Sequence, residues 1–255
     1  PLAECRFEYL KVDYNENIGV GCDDEDGLGE GLRQSVQATQ AFFREIHEGV
    51  PGITIENCSS GGHRLEPSFL DLCQLASFSD SHEQWELPII AANLHRAMLP
   101  EQSLIWAVLR AGDSQRRLVW SLCATFLGVM CLSGDVDALT PAQWETVRKG
   151  IAFYRLAAPI LQDGVTKRYG PRVESYRHPK GWQAVARTSP DQSWMLIVAH
   201  LFDEAPRRLT LPVEKGYRLC TVFSDQPTAL SFTGEAVEAA LPDKSAFAML
   251  LRRET

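Results

Sequence analysis

The chain has 255 residues, 45% apolar and 23% charged, a composition typical of folded proteins that excludes disordered and fibrous chains. Its net charge of −8 argues against a nucleic-acid partner, because binding phosphates requires clustered lysine and arginine. The longest uncharged apolar stretch, residues 118–132, is shorter than the roughly 20 residues of a membrane span and predicts a buried helix. The seven cysteines form no C-x-x-C pair and predict reduced thiols in a cytoplasmic protein.

Strand-like and helix-like segments alternate from the start of the chain to about Gly164. The pattern of apolar residues predicts five strands with helices between them. A capping residue at Asp113 is predicted to begin the buried apolar helix. The predicted strands are residues 7–15, 53–58, 77–80, 103–109 and 129–132, and the other early helices are residues 30–48, 68–75 and 83–98.

The helix that precedes Gly164 has the clearest signals in the chain. Thr140 is the predicted N-cap, Pro141 occupies the first position, and Gln143 completes a T-x-x-Q capping box. Apolar residues then recur at three- and four-residue spacing over residues 144–161, and Gly164 ends the helix.

Beyond Gly164, short apolar runs separated by turn residues predict an antiparallel sheet. We therefore predict an α/β domain over residues 1–164 and an all-β, sandwich-like domain over residues 165–255. The α/β part is compatible with a complete, doubly wound five-stranded sheet. It is also compatible with the last five units of a (β/α)8 barrel, and the pattern alone favours the complete sheet.

Polar residues cluster near the ends of the first two predicted strands. Side chains alternate between the faces of a strand, so Lys11, Asp13 and Asn15 share one face, as do Glu56 and Cys58. In a barrel these side chains would point inward at the carboxyl mouth, where active sites lie. An edge strand with one solvated face would give the same pattern, so alternation alone leaves both interpretations open.

A glycine-containing loop, residues 59–67, follows the second strand directly. Gly61 and Gly62 permit a close backbone approach to a ligand, and Arg64 can anchor a loop or bind a hydroxyl group. The loop lacks the G-x-G-x-x-G and G-x-x-x-x-G-K spacings of phosphate-binding loops. An ordinary turn is the alternative interpretation.

Asp80 closes the third predicted strand, so that it and Asp13 are two carboxylates at the mouths of alternate strands. Two carboxylates at strand ends suit acid–base or nucleophilic catalysis, as in glycosidases. The alternative is that Asp80 only caps the following helix. Its neighbours His63, His82 and Glu83 have no recognised metal-ligand spacing, so no metal is expected.

Together these segments resemble the glycoside hydrolase family 36 α-galactosidases of the melibiase type. Residues 11–15 (K-V-D-Y-N) are similar to the K-W-D-M-N strand of that family, with Val12 and Tyr14 as departures. Residues 58–67 match its C-S-x-G-G-x-R-[FL]-[DE]-P loop in full. Ser79 and Asp80 resemble the Ser-Asp pair that opens its acid/base segment, although residues 81–83 depart from the usual continuation.

The resemblance implies a fold with an N-terminal β-sandwich, a (β/α)8 barrel and a C-terminal antiparallel sheet domain. Only the part from the fourth barrel strand onward is matched. We therefore expect residues 1–164 to be the second part of a barrel, and this sequence to be a C-terminal portion. A partial barrel leaves open strand edges that self-association into a homo-oligomer could cover, and the isolated chain is expected to be a poor enzyme.

The resemblance also implies a retaining hydrolase that removes terminal α-galactosyl residues from oligosaccharides, without a metal or organic cofactor. Asp13 would be the nucleophile and Asp80 the general acid and base. The sugar would be bound by Lys11, Asn15, Cys58, Gly61 and Gly62, with Arg64 supporting the loop. A galactosyl transferase of the raffinose-synthase kind and a non-catalytic carbohydrate-binding fragment are the alternatives.

Overall fold

The computed structural model describes residues 4–13, 22–81 and 85–254. The chain groups into two compact units, residues 1–80 and residues 81–255. The domain boundary predicted after residue 164 lies inside the second unit and stays a prediction. All seven cysteines are free thiols. Within the described ranges, every helix is too short or too polar to cross a lipid bilayer.

The first unit contains a three-stranded parallel sheet whose strand order is β1-β2-β3. In its register, Asp13 lies opposite Cys58, so the polar residues at the ends of the first two strands are neighbours. The strands are β1 (Tyr9–Asp13), β2 (Thr54–Cys58) and β3 (Leu75–Ala76), and the helices are α1 (Glu30–Gly49) and α2 (Pro67–Leu70).

The helix predicted over residues 30–48 is confirmed as α1. It buries Phe43 and Ile46, and the Phe43 ring meets the edge of Phe69 in α2 with 5.8 Å between ring centroids. The helix predicted over residues 68–75 is shorter than expected, because α2 spans one turn that starts at Pro67.

The third strand was predicted at residues 77–80, which is wrong. The structure places β3 at Leu75–Ala76, and the polar residues that follow it leave the strand conformation. Ser77 still donates its backbone N–H to the carbonyl of Asn57, but its hydroxyl binds the buried carboxylate of Glu56. The segment after Ser77 is therefore an irregular connection that leads to Asp80.

The second unit begins with one helix and a parallel strand pair, β4 with β5, on which α4 packs. The predicted cap at Asp113 is wrong by one residue. Ser114 is the N-cap of α4 and accepts from the Arg117 N–H, whereas the Asp113 carboxylate accepts from the Arg110 N–H. The elements are α3 (Leu87–Leu94), β4 (Leu104–Leu109), α4 (Gln115–Thr125), β5 (Val129–Gly134) and α5 (Pro141–Asp163).

Two antiparallel sheets complete the second unit and confirm the antiparallel sheet structure predicted after Gly164. One has the strand order β10-β13-β8-β7-β6 and the other β11-β12-β9. The strands are β6 (Val165–Tyr169), β7 (Trp182–Thr188), β8 (Trp194–Leu201), β9 (Leu209–Pro212), β10 (Tyr217–Ser224), β11 (Leu230–Phe232), β12 (Ala236–Ala239) and β13 (Ser245–Arg253).

Helices α4 and α5 pack on the larger antiparallel sheet. Arg187 of β7 is buried and donates to the main-chain carbonyls of Ile160 and Leu161 at the end of α5. His200 of β8 is hydrogen bonded to the carbonyl of Trp120 in α4, at 3.3 Å. An α/β part followed by antiparallel sheets is thus confirmed, whereas a (β/α)8 barrel stays a prediction.

Candidate active site

The carboxyl ends of the three parallel strands of the first unit meet at one edge of the sheet. Asp13 is the last residue of β1, and Asp80 follows β3 through residues 77–79. Both aspartates are exposed. One strand, β2, separates β1 from β3, so their backbones are roughly 10 Å apart. Asp13 and the segment that leads to Asp80 therefore both leave the sheet at its carboxyl edge.

Lys11 lies between two carboxylates. Its Nζ is 3.5 Å from Asp13 Oδ2 and 3.5 Å from Glu56 Oε1. Burial lowers the pKa of Lys11, but the neighbouring Glu56, Cys58 and Asp13 raise it, and the net pKa is above the ordinary value. Lys11 therefore carries its positive charge at neutral pH and is a charged hydrogen-bond donor next to Asp13.

Glu56 is a site residue that the sequence analysis did not select. Its side chain is only 2% exposed. The Ser77 hydroxyl donates to Oε1 at 2.6 Å, and the Tyr9 hydroxyl donates to Oε2. The alternation of side chains along the strand placed Glu56 on the same face as Cys58, and this was the only sequence signal that pointed to Glu56. Alternation does not distinguish a buried carboxylate from a solvated one.

Arg64 connects the glycine-containing loop to both neighbouring strands. Its guanidinium donates to the carbonyl of Val12 at 3.0 Å and to the carbonyl of Cys58, while its own carbonyl accepts from the Asn57 side chain at 2.9 Å. Arg64 is 9% exposed. A single buried side chain thus fixes the ends of β1 and β2 relative to the loop, as expected of a residue that supports the loop.

The two loop glycines allow the loop to lie against the segment before Asp80. Gly61 has a φ of +76°, and a Cβ added there would be 2.5 Å from the Cα of Ser79. A Cβ at Gly62 would be 2.8 Å from the carbonyl oxygen of Phe78. The close backbone approach was expected toward a ligand. The structure shows it toward the backbone of the protein itself.

Cys58 ends β2 between the two aspartate-bearing segments and is 2% exposed. Burial raises the pKa of its thiol, although hydrogen bonds with the Gly61 backbone and the Ser77 side chain oppose the rise. The thiol is therefore neutral at pH 7 and is not poised as a nucleophile. Cys58 lies beside Gly61 and belongs to the buried layer beneath this edge of the sheet.

Some of the predicted residues lie outside the described part of the chain, namely Asn15, His82 and Glu83. Among the residues that are described, no three histidine, cysteine, aspartate or glutamate side chains are grouped so that they could hold a metal ion. The described edge therefore combines two exposed carboxylates, a lysine, a buried glutamate and a neutral thiol.

No protein-family model matches the chain, and neither does any curated protein sequence. Among solved structures, the chain is similar to the α-galactosidase from Lactobacillus brevis, with a TM-score of 0.78 and 16% identity. It is also similar to the family 36 α-galactosidase AgaA from Geobacillus stearothermophilus in complex with 1-deoxygalactonojirimycin (TM-score 0.78, 19% identity). The same enzyme in complex with raffinose gives a TM-score of 0.77 and 18% identity.

The chain has the fold of a part of these enzymes. The three alignments cover 100%, 99% and 96% of this chain but only 36%, 36% and 35% of the solved chains. The resemblance to family 36 α-galactosidases, first indicated by three short motifs, is thus confirmed at the level of the fold. This chain spans about a third of the length of the enzymes that it resembles.

Proposed function

We propose that this chain carries the two catalytic carboxylates of a retaining α-galactosidase. Asp13 attacks the anomeric carbon and forms a glycosyl-enzyme intermediate, while Asp80 gives a proton to the departing glycosidic oxygen. Asp80 then takes a proton from the water that releases the sugar. The observation that carries the proposal is that Asp13 ends β1, and that the segment leading to Asp80 leaves β3 at the same edge of one parallel sheet, in a chain with the fold of part of the α-galactosidases.

The surroundings of Asp13 suit a nucleophile. Asp13 is exposed at the end of β1, and Arg64 binds the main-chain carbonyl of the preceding residue, Val12. The carboxylate is therefore accessible while the backbone before it is fixed. The charged Lys11 ammonium, 3.5 Å away, is in reach of the hydroxyl groups of a sugar bound over Asp13. A carboxylate on a fixed backbone, with a charged donor nearby, suits the orientation that covalent catalysis requires.

The surroundings of Asp80 suit a general acid. It is exposed at the end of the irregular segment that packs on Gly61 and Gly62. This packing fixes the backbone that leads to Asp80. In the proposed mechanism, Asp80 faces the leaving group on the side of the ligand opposite to Asp13.

The proposed substrates are oligosaccharides with a terminal α-galactosyl residue. The similar enzyme AgaA has been solved in complex with raffinose and with stachyose, both of which end in such a residue. Two carboxylates are sufficient for the double displacement, so the proposal needs no metal and no organic cofactor. In the same proposal, β1 to β5 are strands of a (β/α)8 barrel whose carboxyl mouth contains the site.

The test is hydrolysis of an aryl α-galactoside by the full-length protein, with the anomer of the first product identified by NMR. We expect α-galactose first, and we expect Asp13→Ala to abolish turnover. Asp71→Ala, which changes an exposed aspartate at the end of α2, is the matched control and should retain activity. Release of β-galactose first, or full activity in Asp13→Ala, would contradict the proposal. Transfer of galactose to sucrose in preference to water would favour the synthase-type alternative.

A further inference from the structure

The buried carboxylate of Glu56 interacts with three donor side chains in the described part of the chain. Tyr9 and Ser77 give it neutral hydroxyl donors, and Lys11 gives it a positive charge at 3.5 Å. These three side chains come from β1 and from the residue after β3, the strands on either side of β2. Glu56 thus joins all three strands directly beneath the edge that contains Asp13.

A carboxylate that is 2% exposed needs a partner charge, because burying an unpaired charge is strongly destabilising. Lys11 is the cation that supplies it, and the same ammonium group is also 3.5 Å from Asp13. The lysine is therefore shared between a buried, fixed carboxylate and an exposed one. The fixed carboxylate determines where the ammonium group is held.

We propose that Glu56 is a positioning residue that holds the Lys11 ammonium in place for the sugar hydroxyls and prevents Lys11 from pairing with Asp13 alone. The inference rests on the proposed function for its catalytic consequence. Its structural content, a lysine fixed by a buried glutamate, does not depend on that function. Without Glu56, the ammonium moves toward Asp13, which hinders attack by that carboxylate and misplaces the donor.

The first test measures the Lys11 amine directly, through the pH dependence of acylation by acetic anhydride, read at each lysine by mass spectrometry. The charged and titratable groups acting on Lys11 are Glu56 and Cys58 of β2 and Asp13 of its own strand. Burial lowers the pKa of Lys11, and Glu56 is the strongest of the groups that raise it, so removing the Glu56 charge should lower that pKa. In Glu56→Gln we therefore expect the Lys11 midpoint to shift to lower pH, while the midpoint of Lys149, whose side chain is 68% exposed, stays unchanged.

The second test is kinetic and uses the same aryl α-galactoside. Glu56→Gln should lower kcat/KM by about 10- to 100-fold, because a misplacement of about 1 Å in a substrate-positioning group can cost about 100-fold. We expect KM to rise because the hydroxyl donor is misplaced, and kcat to fall because Asp13 is more tightly paired. Glu48→Gln, at an exposed position near the end of α1, is the matched control and should change neither constant.

The two tests separate the possible failures. A shifted Lys11 midpoint in a protein that hydrolyses no α-galactoside would support the positioning of Lys11 and refute the proposed function. An unchanged Lys11 midpoint in folded Glu56→Gln would overturn the inference, whatever the activity. If Glu56→Gln fails to fold, Ser77→Ala removes one donor to Glu56 and keeps both charges. That variant should keep the wild-type Lys11 midpoint, and a midpoint that falls although both charges are present would overturn the inference.

Discussion

The guanidinium of Arg64 donates a hydrogen bond to the main-chain carbonyl of Val12, 3.0 Å away, in the residue directly before Asp13. The same group also binds the carbonyl of Cys58, at the end of the neighbouring strand. Arg64 thus links the loop of residues 59–67 to β1, the strand that ends in Asp13, although the two are far apart in the sequence. A change in the loop is therefore expected to act on Asp13 without contacting it.

Arg64→Lys tests this coupling. A lysine keeps the charge, but its side chain is one atom shorter, so its ammonium group does not reach the position from which Nη2 of Arg64 donates to both carbonyls, and an unpaired buried carbonyl costs about 1–3 kcal/mol. We expect a loss of stability of that order and faster hydrogen exchange in β1. We also expect kcat/KM to fall about tenfold, which corresponds to about 1.4 kcal/mol in transition-state free energy. Arg44→Lys, at an exposed position of α1, should leave all three measurements unchanged.

Gly61→Ala tests the contact between the loop and the segment that ends in Asp80. An added Cβ would both occupy a φ of +76° and collide with the Ser79 backbone. Gly52→Ala is a sharp control, because Gly52 has a φ of +87° and open space around it. The control should lose only the backbone term of about 1–2 kcal/mol. Gly61→Ala should lose clearly more stability and most of its activity, and equal losses in the two variants would contradict the contact.

The sequence was sufficient where a local rule determines the structure. The Thr140–Gln143 capping box is present, with the Thr140 hydroxyl accepting from the Gln143 N–H and the Gln143 side chain accepting from the Thr140 N–H. The apolar spacing that follows gives a helix that ends at Asp163, next to the predicted stop at Gly164. Capping and periodicity depend on neighbours within a few residues, so they can be read without the fold.

The sequence rules failed where the structure depends on hydrogen bonds between residues that are far apart in the sequence. The strand predicted at residues 77–80 ends earlier, at Ala76, and the Ser77 hydroxyl that follows it binds Glu56 on the neighbouring strand. The burial of Glu56 likewise depends on donors from β1 and from the segment after β3. Neither fact is contained in the local pattern, which explains why Asp13, Cys58 and Asp80 were predicted together and Glu56 was not.

The different roles proposed for Asp13 and Asp80 predict opposite outcomes with azide. In Asp80→Ala, an activated aryl galactoside still forms the β-linked intermediate on Asp13, and azide then attacks it to give an α-galactosyl azide. In Asp13→Ala, azide replaces the missing nucleophile and gives the β-galactosyl azide. Product NMR distinguishes the two anomers. If the two variants give each other's product, the roles of the two aspartates are reversed.

The last prediction concerns the acid stability of the second unit. Burial lowers the pKa of His200 to about 3, against an ordinary value of 6.5, so the folded protein keeps this imidazole neutral. Below about pH 6.5 the unfolded chain binds a proton that the folded chain does not. Stability should therefore decrease as the pH falls from about 6.5 toward 3, by up to about 1.4 kcal/mol per pH unit.

His200→Gln should remove this part of the pH dependence, because glutamine does not titrate and can still donate to the Trp120 carbonyl. Tryptophan fluorescence during urea unfolding at a series of pH values is a suitable measurement, since all six tryptophans lie within residues 81–255 and report on the second unit. His178→Gln, at an exposed position of the same unit, is the control and should retain the wild-type slope. If the slope between pH 6 and 4 is the same in His200→Gln as in the wild type, proton uptake at His200 does not cause the acid sensitivity.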